Sequence, residues 1–184
     1  MKKVFIDCGA NVGEVLSNFM KDLPDHQFHA FEANIDLIST IEENIKQKQN
    51  FLKVHIHNKA VWVKDGTINL YLGHHESSTV LLGKKVPSCY NQQIDYTAPR
   101  IVECIDFSHW LVQNFDLKDK ITVKMDIEGA EYDVLEHLLK QGTINYISQL
   151  FVEWHYDRYE YISFERHSSL FSELNKYIKV LPWH

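Results

Sequence analysis

A glycine-containing turn is the first group of residues whose types and spacing could do chemistry. The apolar run Val4-Phe5-Ile6 leads into it, and Gly9, Asn11 and Gly13 then follow at every second position. Because glycine has no Cβ, the backbone there can approach a ligand closely, and a helix that begins at such a turn offers free N–H groups. These residues predict a nucleotide-binding site.

The spacing of this turn separates one nucleotide ligand from another. A dinucleotide fingerprint places glycines at relative positions one, three and six, whereas Gly9, Asn11 and Gly13 stand at one, three and five. The first acidic residue of the chain, Asp7, precedes the turn. The arrangement resembles the first motif of class I S-adenosylmethionine (SAM) methyltransferases, in which an acidic residue two before the first glycine serves the methionine end of the cofactor.

A carboxylate for a ribose is predicted at Glu32. This residue ends the strand-like run Phe28-His29-Ala30-Phe31, where sheets that bind nucleotides carry their ribose acid. A carboxylate there can accept hydrogen bonds from both ribose hydroxyls. The alternative is an ordinary exposed glutamate at a strand end. Asn34 is expected to cap the helix that follows.

Acidic residues and a lysine gather at the end of a second strand-like run, Ile121 to Met125. Lys124 is followed by Asp126 and Glu128. In open α/β sheets ligands bind at the carboxyl ends of the strands, and residues two apart share a face while the chain is extended. Either acid could therefore face a cofactor's sulfonium or the acceptor. Glu131 is expected instead to interact with the dipole of the following helix.

Glu153 and His155 end the next strand-like run and share one face of it. An unperturbed histidine has a pKa of about 6.5, so His155 could accept the proton of a hydroxyl whose oxygen attacks a methyl group. A lone histidine is often structural. Both roles remain open for His155 at this point.

No metal site is expected. His74, His75 and Glu76 are adjacent in sequence, and adjacent residues rarely converge on one ion without a further ligand. One alternative stays open, in which the carboxylate oxygens of Asp126 and Glu153 hold a metal ion.

Alternating strands and helices must position these residues. Apolar residues recur at helical spacing from Val12 to Leu23 and from Leu37 to Ile45, and strand-like runs precede and follow each helix. The alternation returns after Ile101 and ends with a helix before a short strand at Ile178 to Leu181. It predicts an α/β fold of the Rossmann-like, doubly wound type, with a mainly parallel sheet and helices on both faces.

Two local features are predicted beside this core. Asp65-Gly66 separates the β-prone runs Val61-Trp62-Val63 and Ile68 to Leu72, and such a pair is a hairpin signal. The hairpin is expected to extend one edge of the sheet. His55 and His57 alternate along a strand and are interpreted as surface residues on one face.

Composition predicts a single domain over residues 1–184, with a substrate loop where periodicity is lost, at residues 73–99. Apolar residues make up 45% of the chain, which is ordinary for a globular protein. There are 19 Lys plus Arg against 25 Asp plus Glu and no dense basic run, so nucleic acid is not an expected partner. No apolar run approaches a membrane span, and the three cysteines lack paired spacing, which together indicate a cytoplasmic location.

Four ordered motifs resemble those of the FkbM-type methyltransferases over nearly the whole chain. They are Asp7-Cys8-Gly9-Ala10-Asn11-Val12-Gly13, Phe31-Glu32-Ala33-Asn34, Lys124-Met125-Asp126-Ile127-Glu128-Gly129-Ala130-Glu131 and Val152-Glu153-Trp154-His155. The third motif is the specific one, because the glycine turn is shared by many SAM enzymes. Ala33 departs from the pattern, in which a proline would follow the glutamate.

The resemblance implies a SAM-dependent O-methyltransferase that acts on a hydroxyl of a sugar, glycan or natural product and releases S-adenosylhomocysteine (SAH). The residues expected to contact the cofactor are Asp7, Gly9, Ala10, Asn11, Gly13, Glu32, Ala33 and Asp126. The expected base is His155, with Asp126, Glu128 and Glu153 orienting it or the acceptor, and Lys124 is a further candidate. Two alternatives stay open: a catalytically silent SAM-binding module, and a nucleotide-dependent oxidoreductase of similar fold.

Overall fold

The structure, a computed structural model of the 184-residue chain, describes residues 1–46, 48, 51–73, 77–86 and 93–183. His74, His75 and Glu76, which were considered as metal ligands, lie outside these residues. So do several positions of the predicted substrate loop, at 74–76 and 87–92.

Nine strands and five α-helices are formed by the described residues. The strands are β1 (Lys3–Cys8), β2 (Gln27–Phe31), β3 (Val54–His57), β4 (Ala60–Trp62), β5 (Gly66–Leu70), β6 (Arg100–Asp106), β7 (Lys120–Met125), β8 (Gln149–Val152) and β9 (Lys179–Pro182). The helices are α1 (Glu14–Asp22), α2 (Ile35–Lys46), α3 (Phe107–Asn114), α4 (Glu131–Gln141) and α5 (Phe164–Leu174). In the described part of the chain no helix is both long and apolar enough to cross a membrane.

Six of these strands form a parallel sheet in the order β3-β2-β1-β7-β8-β9. The strand order reverses at β1, and ligands of such sheets bind at this switch point, outside the carboxyl ends of the strands. Cys8 at the end of β1 is in register with Phe31 of β2 and Met125 of β7. The glycine turn, Glu32 and the acidic residues after β7 are thereby brought to one edge. The predicted mainly parallel α/β fold is confirmed.

Helices cover both faces of the sheet, and successive side chains of β1 point alternately to one face and the other. Phe5 packs in one apolar cluster with Leu16 of α1 and Ile41 of α2. Ile6 points to the other face and joins a larger cluster that includes Leu135 of α4. Each such buried side chain contributes about 1.5–3 kcal/mol relative to an exposed one, so the two clusters fix the helices that flank the site.

The predicted hairpin at Asp65-Gly66 is wrong. Although β4 and β5 are both fully described, they do not pair with each other but lie on either side of β6, in a separate three-stranded sheet. Cys104 of β6 is in register with Ala60 on one side and with Gly66 on the other. A distant strand that offers two free backbone edges has thus displaced the local pairing, so the pair also does not extend an edge of the main sheet.

The interpretation of His57 as a surface residue is also wrong. Its ring stacks on Phe31 with centroids 4.4 Å apart, and its Nε2 lies 3.0 Å from Nδ1 of His29. The parallel pairing of β2 and β3 places these side chains under α3, where Trp110 meets the His57 ring edge-on. His55, by contrast, is exposed as expected.

Candidate active site

The glycine turn is fixed against the ends of three strands. Gly9 has a φ of +86°, and a Cβ built there would lie 1.9 Å from the carbonyl oxygen of Asp126, so no other residue fits. The N–H groups of Gly9 and Ala10 donate to the carbonyl of Phe31, at 3.0 and 2.9 Å. Gly13 also has a positive φ, at +78°, and α1 begins directly after it. The turn therefore joins β1, β2 and β7 with little freedom.

Glu32 is tied to this turn through its carboxylate. One oxygen accepts the N–H of Asn11 at 2.8 Å, and the other accepts the N–H of Asn34 at 2.8 Å. Burial raises the pKa of Glu32, while these two N–H groups oppose the rise because they stabilise the charged form. Asn34 caps α2 as expected, since its side-chain oxygen accepts the N–H of Asp36. Each Glu32 oxygen keeps a second lone pair for a hydroxyl donor.

A first cleft opens beside Glu32 and contains about 690 Å³ of atom-free space. Its walls are mostly apolar, and the residues that supply them are Phe31, Ala33, Leu37, Ala60, Val61, Leu70, Val80, Ile127 and Ala130. Its charged lining residues are Glu32, Lys59, Asp126 and Glu128. A cleft with apolar walls and carboxylates that can accept hydroxyl donors has the chemistry to hold a nucleoside.

Lys124 is buried at the centre of the site. Its ammonium donates to the carbonyl of Gly9 at 2.8 Å and lies 3.2 Å from Asp7 and 3.3 Å from Asp126. Burial lowers the pKa of Lys124, but the two carboxylates outweigh it and the net pKa lies above the usual lysine range. Asp7 is fully buried and is absent from the described residues that line the clefts. Its carboxylate pairs with the ammonium of Lys124, and Lys124 in turn donates to the Gly9 carbonyl, so Asp7 supports the glycine turn indirectly.

Glu128 lies in a sharp turn between β7 and α4. Its backbone has a φ of +60°, and its carbonyl accepts hydrogen bonds from the hydroxyls of Thr79, at 2.8 Å, and Tyr159, at 2.5 Å. Its carboxylate contacts the ammonium of Lys84 and lies 3.1 Å from Nε2 of His155. Burial raises the pKa of Glu128, but these two cations outweigh it, so the net pKa is lowered.

His155 is surrounded by carboxylates. Its Nδ1 lies 3.2 Å from Glu131, and its Nε2 lies 3.1 Å from Glu128 and 3.7 Å from Glu153. Burial lowers the pKa of His155, yet Glu131 and Glu128 outweigh it and raise the pKa to about 11. The ring is therefore protonated at neutral pH and has no free lone pair with which to accept a proton, which differs from the role expected of a base.

Two acids near His155 have different environments. Glu153 is half-buried, and burial, together with the charge of Asp126, raises its pKa. Glu131 lies in the first turn of α4, as expected, but it is fully buried, and its carboxylate accepts the N–H groups of Ile127 at 2.7 Å and Gly129 at 2.9 Å. Asp126, Glu131 and His155 could each offer one ligand atom to an ion within 4.8 Å of one another, but the Glu131 oxygens already hold the turn.

A second cleft, with about 1010 Å³ of atom-free space, is also lined in part by the glycine turn. Its charged lining residues are Glu14, Lys84, Lys124, Asp126, Glu128, Glu153, His155 and Arg158. Gly9, Asn11, Asp126 and Glu128 line both clefts and therefore mark the junction between them. Glu32 thus lines the first cleft, and all five expected catalytic residues line the second. Asp7 lines neither cleft and contacts Lys124 instead.

Sequence reasoning missed Lys84, and it missed the hydrogen bonds that Thr79 and Tyr159 make with the Glu128 carbonyl. The first two lie in the described part of the aperiodic stretch 73–99, whose loss of periodicity was the available signal, but no motif marks the individual residues. Lys84 has a side chain only 5% exposed and also donates to the carbonyl of Ser77. Tyr159 follows His155 by one turn of chain and reaches back to Glu128.

A parallel sheet with a glycine turn and an apolar, acid-flanked cleft at its switch point is a Rossmann-like α/β domain. Residues 7–181 match the family model of the methyltransferase FkbM domain. The chain belongs to this family, as its motifs indicated.

A solved structure has a similar architecture. The crystal structure of methyltransferase FkbM from Methylobacillus flagellatus KT superposes with a TM-score of 0.56 and 13% sequence identity, over 96% of this chain and 38% of that chain. At this identity the likeness concerns the fold. The present chain spans well under half the length of that relative. No match was found among curated proteins.

Proposed function

We propose that this protein is a SAM-dependent O-methyltransferase that methylates a hydroxyl of a sugar, glycan or natural product. One observation supports this proposal most strongly. The cleft beside Glu32 and the charged second cleft share Gly9, Asn11, Asp126 and Glu128 among their lining residues, so the two clefts adjoin at the glycine turn and the two acids. A nucleoside in the first cleft would therefore point its 5′ end at the junction, with room for an acceptor in the second.

The residues of the first cleft fit an adenosine group. Glu32 would accept the ribose hydroxyls, and Phe31, Ala33, Leu37 and Val61 would enclose the base. The free N–H groups at the start of α1 would face the methionine carboxylate, because those of Gly9, Ala10 and Asn11 already donate within the protein, and Asp126 would face the sulfonium. When bound, SAM supplies an electrophilic methyl group and leaves as SAH.

The proton of the acceptor hydroxyl needs a different residue from the one first expected. Because His155 is protonated near neutral pH, we assign the proton acceptor to Glu153, whose pKa is raised by burial and whose side chain is 40% exposed on the second cleft. The imidazolium of His155, 3.7 Å away, would stabilise the Glu153 carboxylate between turnovers. Lys124 would hold Asp126 and the glycine turn in place.

Oxygen is favoured over nitrogen as the methylated atom by the sequence after β7. Methyltransferases that act on amino or amide groups often carry an Asn or Asp followed by two prolines at this point, whereas this chain has Asp126-Ile127-Glu128. A hydroxyl acceptor also requires a nearby base, and Glu153 provides one at the mouth of the second cleft.

Calorimetric titration with SAM, SAH and NAD tests the cofactor. We expect saturable binding of SAM and SAH and none of NAD, and we expect Glu32→Ala to weaken SAM binding about 10–100-fold through the lost ribose hydrogen bonds. Glu173→Ala, which changes a glutamate on α5 paired with Lys176, is the matched control and should bind as the wild type does. Binding of NAD without SAM would instead support the oxidoreductase alternative.

Methyl transfer tests the reaction. Incubation with methyl-labelled SAM and a panel of hydroxyl and amine acceptors, read by mass spectrometry, should yield methyl ethers from the hydroxyl acceptors and no methylated amines. Glu153→Gln should lower kcat about 10²–10⁴-fold and leave the Kd for SAM unchanged. Tight SAM binding with no transfer to any acceptor would support the silent module, and loss of activity in a chelator would support the metal alternative.

A further inference from the structure

We propose that Thr79 and Tyr159 are positioning residues that hold Glu128 in a left-handed backbone conformation, so that its carboxylate points into the junction of the two clefts. The three residues are called the Glu128 clamp below. The role of Glu128 at that junction rests on the proposed function. The clamp itself rests on contacts within the protein.

The first observation is the backbone of Glu128. A φ of +60° is unfavourable for a residue with a Cβ and persists only where the surrounding structure holds it. Asn11 is the other non-glycine residue with a positive φ among those described, and asparagine tolerates this conformation better than glutamate does. A glycine would adopt this backbone conformation with less strain. We therefore infer that the side chain of Glu128 has a role at this position.

The second observation is the pair of hydroxyls on the Glu128 carbonyl. Thr79 and Tyr159 donate to it at 2.8 and 2.5 Å, and their own oxygens lie 2.9 Å apart. Thr79 is 1% exposed and Tyr159 is 3% exposed, so water does not compete for these bonds. Burial raises the pKa of Tyr159, and its hydroxyl therefore remains a donor.

The third observation is how the next residues close the turn. A Cβ on Gly129 would lie 2.3 Å from the Tyr159 ring, so the ring packs directly on the Gly129 backbone. From the opposite side Glu131 accepts the N–H groups of Ile127 and Gly129. The turn is thus fixed by contacts from three separate segments.

The clamp determines where the Glu128 carboxylate lies. With its carbonyl turned toward Thr79 and Tyr159, its side chain extends the other way and lies between the ammonium of Lys84 and the ring of His155. Without the two hydroxyls, the peptide could rotate toward an ordinary conformation and carry the carboxylate away from His155. The clamp therefore couples the loop before β6 to the charged centre of the site.

The titration of His155, followed by NMR of histidine-labelled full-length protein, tests the clamp without cofactor or acceptor. The signal is assigned by its loss in His155→Asn. Removing the Glu128 charge in Glu128→Gln should lower the His155 pKa by about 1–3 units from its wild-type value of about 11. Tyr159→Phe should lower it by a similar amount, because the freed carboxylate moves away.

Tyr161→Phe is the matched control, since it removes a hydroxyl that donates to the Leu82 carbonyl at 3.4 Å, outside the clamp. Its His155 pKa should equal that of the wild type. The proposal is overturned if Glu128→Gln lowers the His155 pKa and Tyr159→Phe does not, or if Glu128→Gln leaves it unchanged.

A second pair of variants covers the case in which Tyr159→Phe fails to fold. Thr79→Val removes the hydroxyl at constant shape and should lower the His155 pKa, whereas Thr79→Ser keeps the hydroxyl and should restore it. Thr143→Val, at a buried threonine bonded to Ser108, should lower thermal stability without moving the His155 pKa. Equal His155 titrations in the Val and Ser variants of Thr79 would contradict the clamp.

Kinetics then separate the clamp from the proposed function. With an acceptor from the screen, Tyr159→Phe should lower kcat about tenfold or more with little change in the Kd for SAM, and it should add nothing to Glu128→Gln in the double variant. If the titrations behave as expected while SAM fails to bind, the proposed function fails and the clamp stands.

Discussion

Two regions of this protein bury histidines and treat them in opposite ways. At the carboxyl edge of the sheet, His155 lies among carboxylates and its pKa is raised to about 11. Under α3, His29 faces His57, His55 and Lys2, with no carboxylate among its charged neighbours in the described chain, and its pKa is lowered to about 3. His57 beside it is lowered to about 4.

The difference shows that burial leaves a histidine ring neutral unless carboxylates lie beside it. Burial lowers the pKa in all three cases. Only at His155 do Glu131 and Glu128 lie near enough to reverse the sign. A site that needs a fixed positive charge is therefore built from acids, and a packing site is built from rings that remain neutral.

The two regions should also respond to pH in opposite windows. Neutral His29 and His57 stabilise the fold above the unfolded pKa of about 6.5, and this stability is lost as the pH falls toward their folded values. Protonated His155 contributes stability that is complete below about 6.5 and is lost as the pH rises through about 11.

The largest expected effect comes from removing the acid that reverses the sign at His155. Glu131→Ala should lower the free energy of unfolding by about 3–5 kcal/mol, because it leaves a buried imidazolium and the N–H groups of Ile127 and Gly129 without their partner. Denaturant unfolding at pH 7 measures this. Glu165→Ala, an exposed glutamate in the first turn of α5, is the control and should cost less than about 1 kcal/mol. Similar losses in both variants would contradict the conclusion that Glu131 stabilises the buried imidazolium of His155.

An intermediate effect is expected where the rings are neutral. Between pH 7 and pH 5 neutral His29 and His57 should together cost the wild type roughly 3 kcal/mol of stability, about 2 kcal/mol from His29 and less from half-buried His57, which solvent screens. His29→Phe should remove more than half of this loss, since it keeps a ring under α3 that cannot titrate. Unfolding curves across this pH range measure the slope.

His55→Gln serves as the control for that slope. His55 is an exposed histidine on the same strand, so its replacement should leave the pH dependence as it is in the wild type. A slope that changes equally in His55→Gln and His29→Phe would show that exposure and pairing do not separate these rings.

The same comparison explains how far the sequence predicts the structure. Periodicity and the glycine turn predicted the parallel sheet, and strand ends predicted that Glu32, Asp126 and His155 would meet at one edge, because parallel strands present their carboxyl ends together. Periodicity does not contain the pairing partner of a short strand. The hairpin at Asp65-Gly66 failed because β6, distant in sequence, took both edges.

The protonation states of the site residues could not be predicted from the sequence for a related reason. The protonation of His155 depends on Glu131, whose carboxylate folds back from α4 into the turn, and a helix-start glutamate usually faces solvent. The role of Lys84 depends on where an aperiodic loop lies, and aperiodic loops carry no register from which to place a residue. The prediction that His57 lies on the surface is wrong because the sequence alone does not show that α3 covers this part of β3.

The smallest expected effect sharpens the comparison with a third ring. His167 packs against Tyr156 and Trp154, and burial alone lowers its pKa. His167→Phe should therefore change the stability difference between pH 7 and pH 5 by less than His29→Phe does. Tyr132→Phe removes the hydroxyl that lies 3.0 Å from Nδ1 of His167. Loss of this hydrogen bond should lower the free energy of unfolding by about 1 kcal/mol. If the slope changed as much at His167 as at His29, burial alone would suffice to explain the neutral rings, and the facing imidazoles would lose their part in the argument.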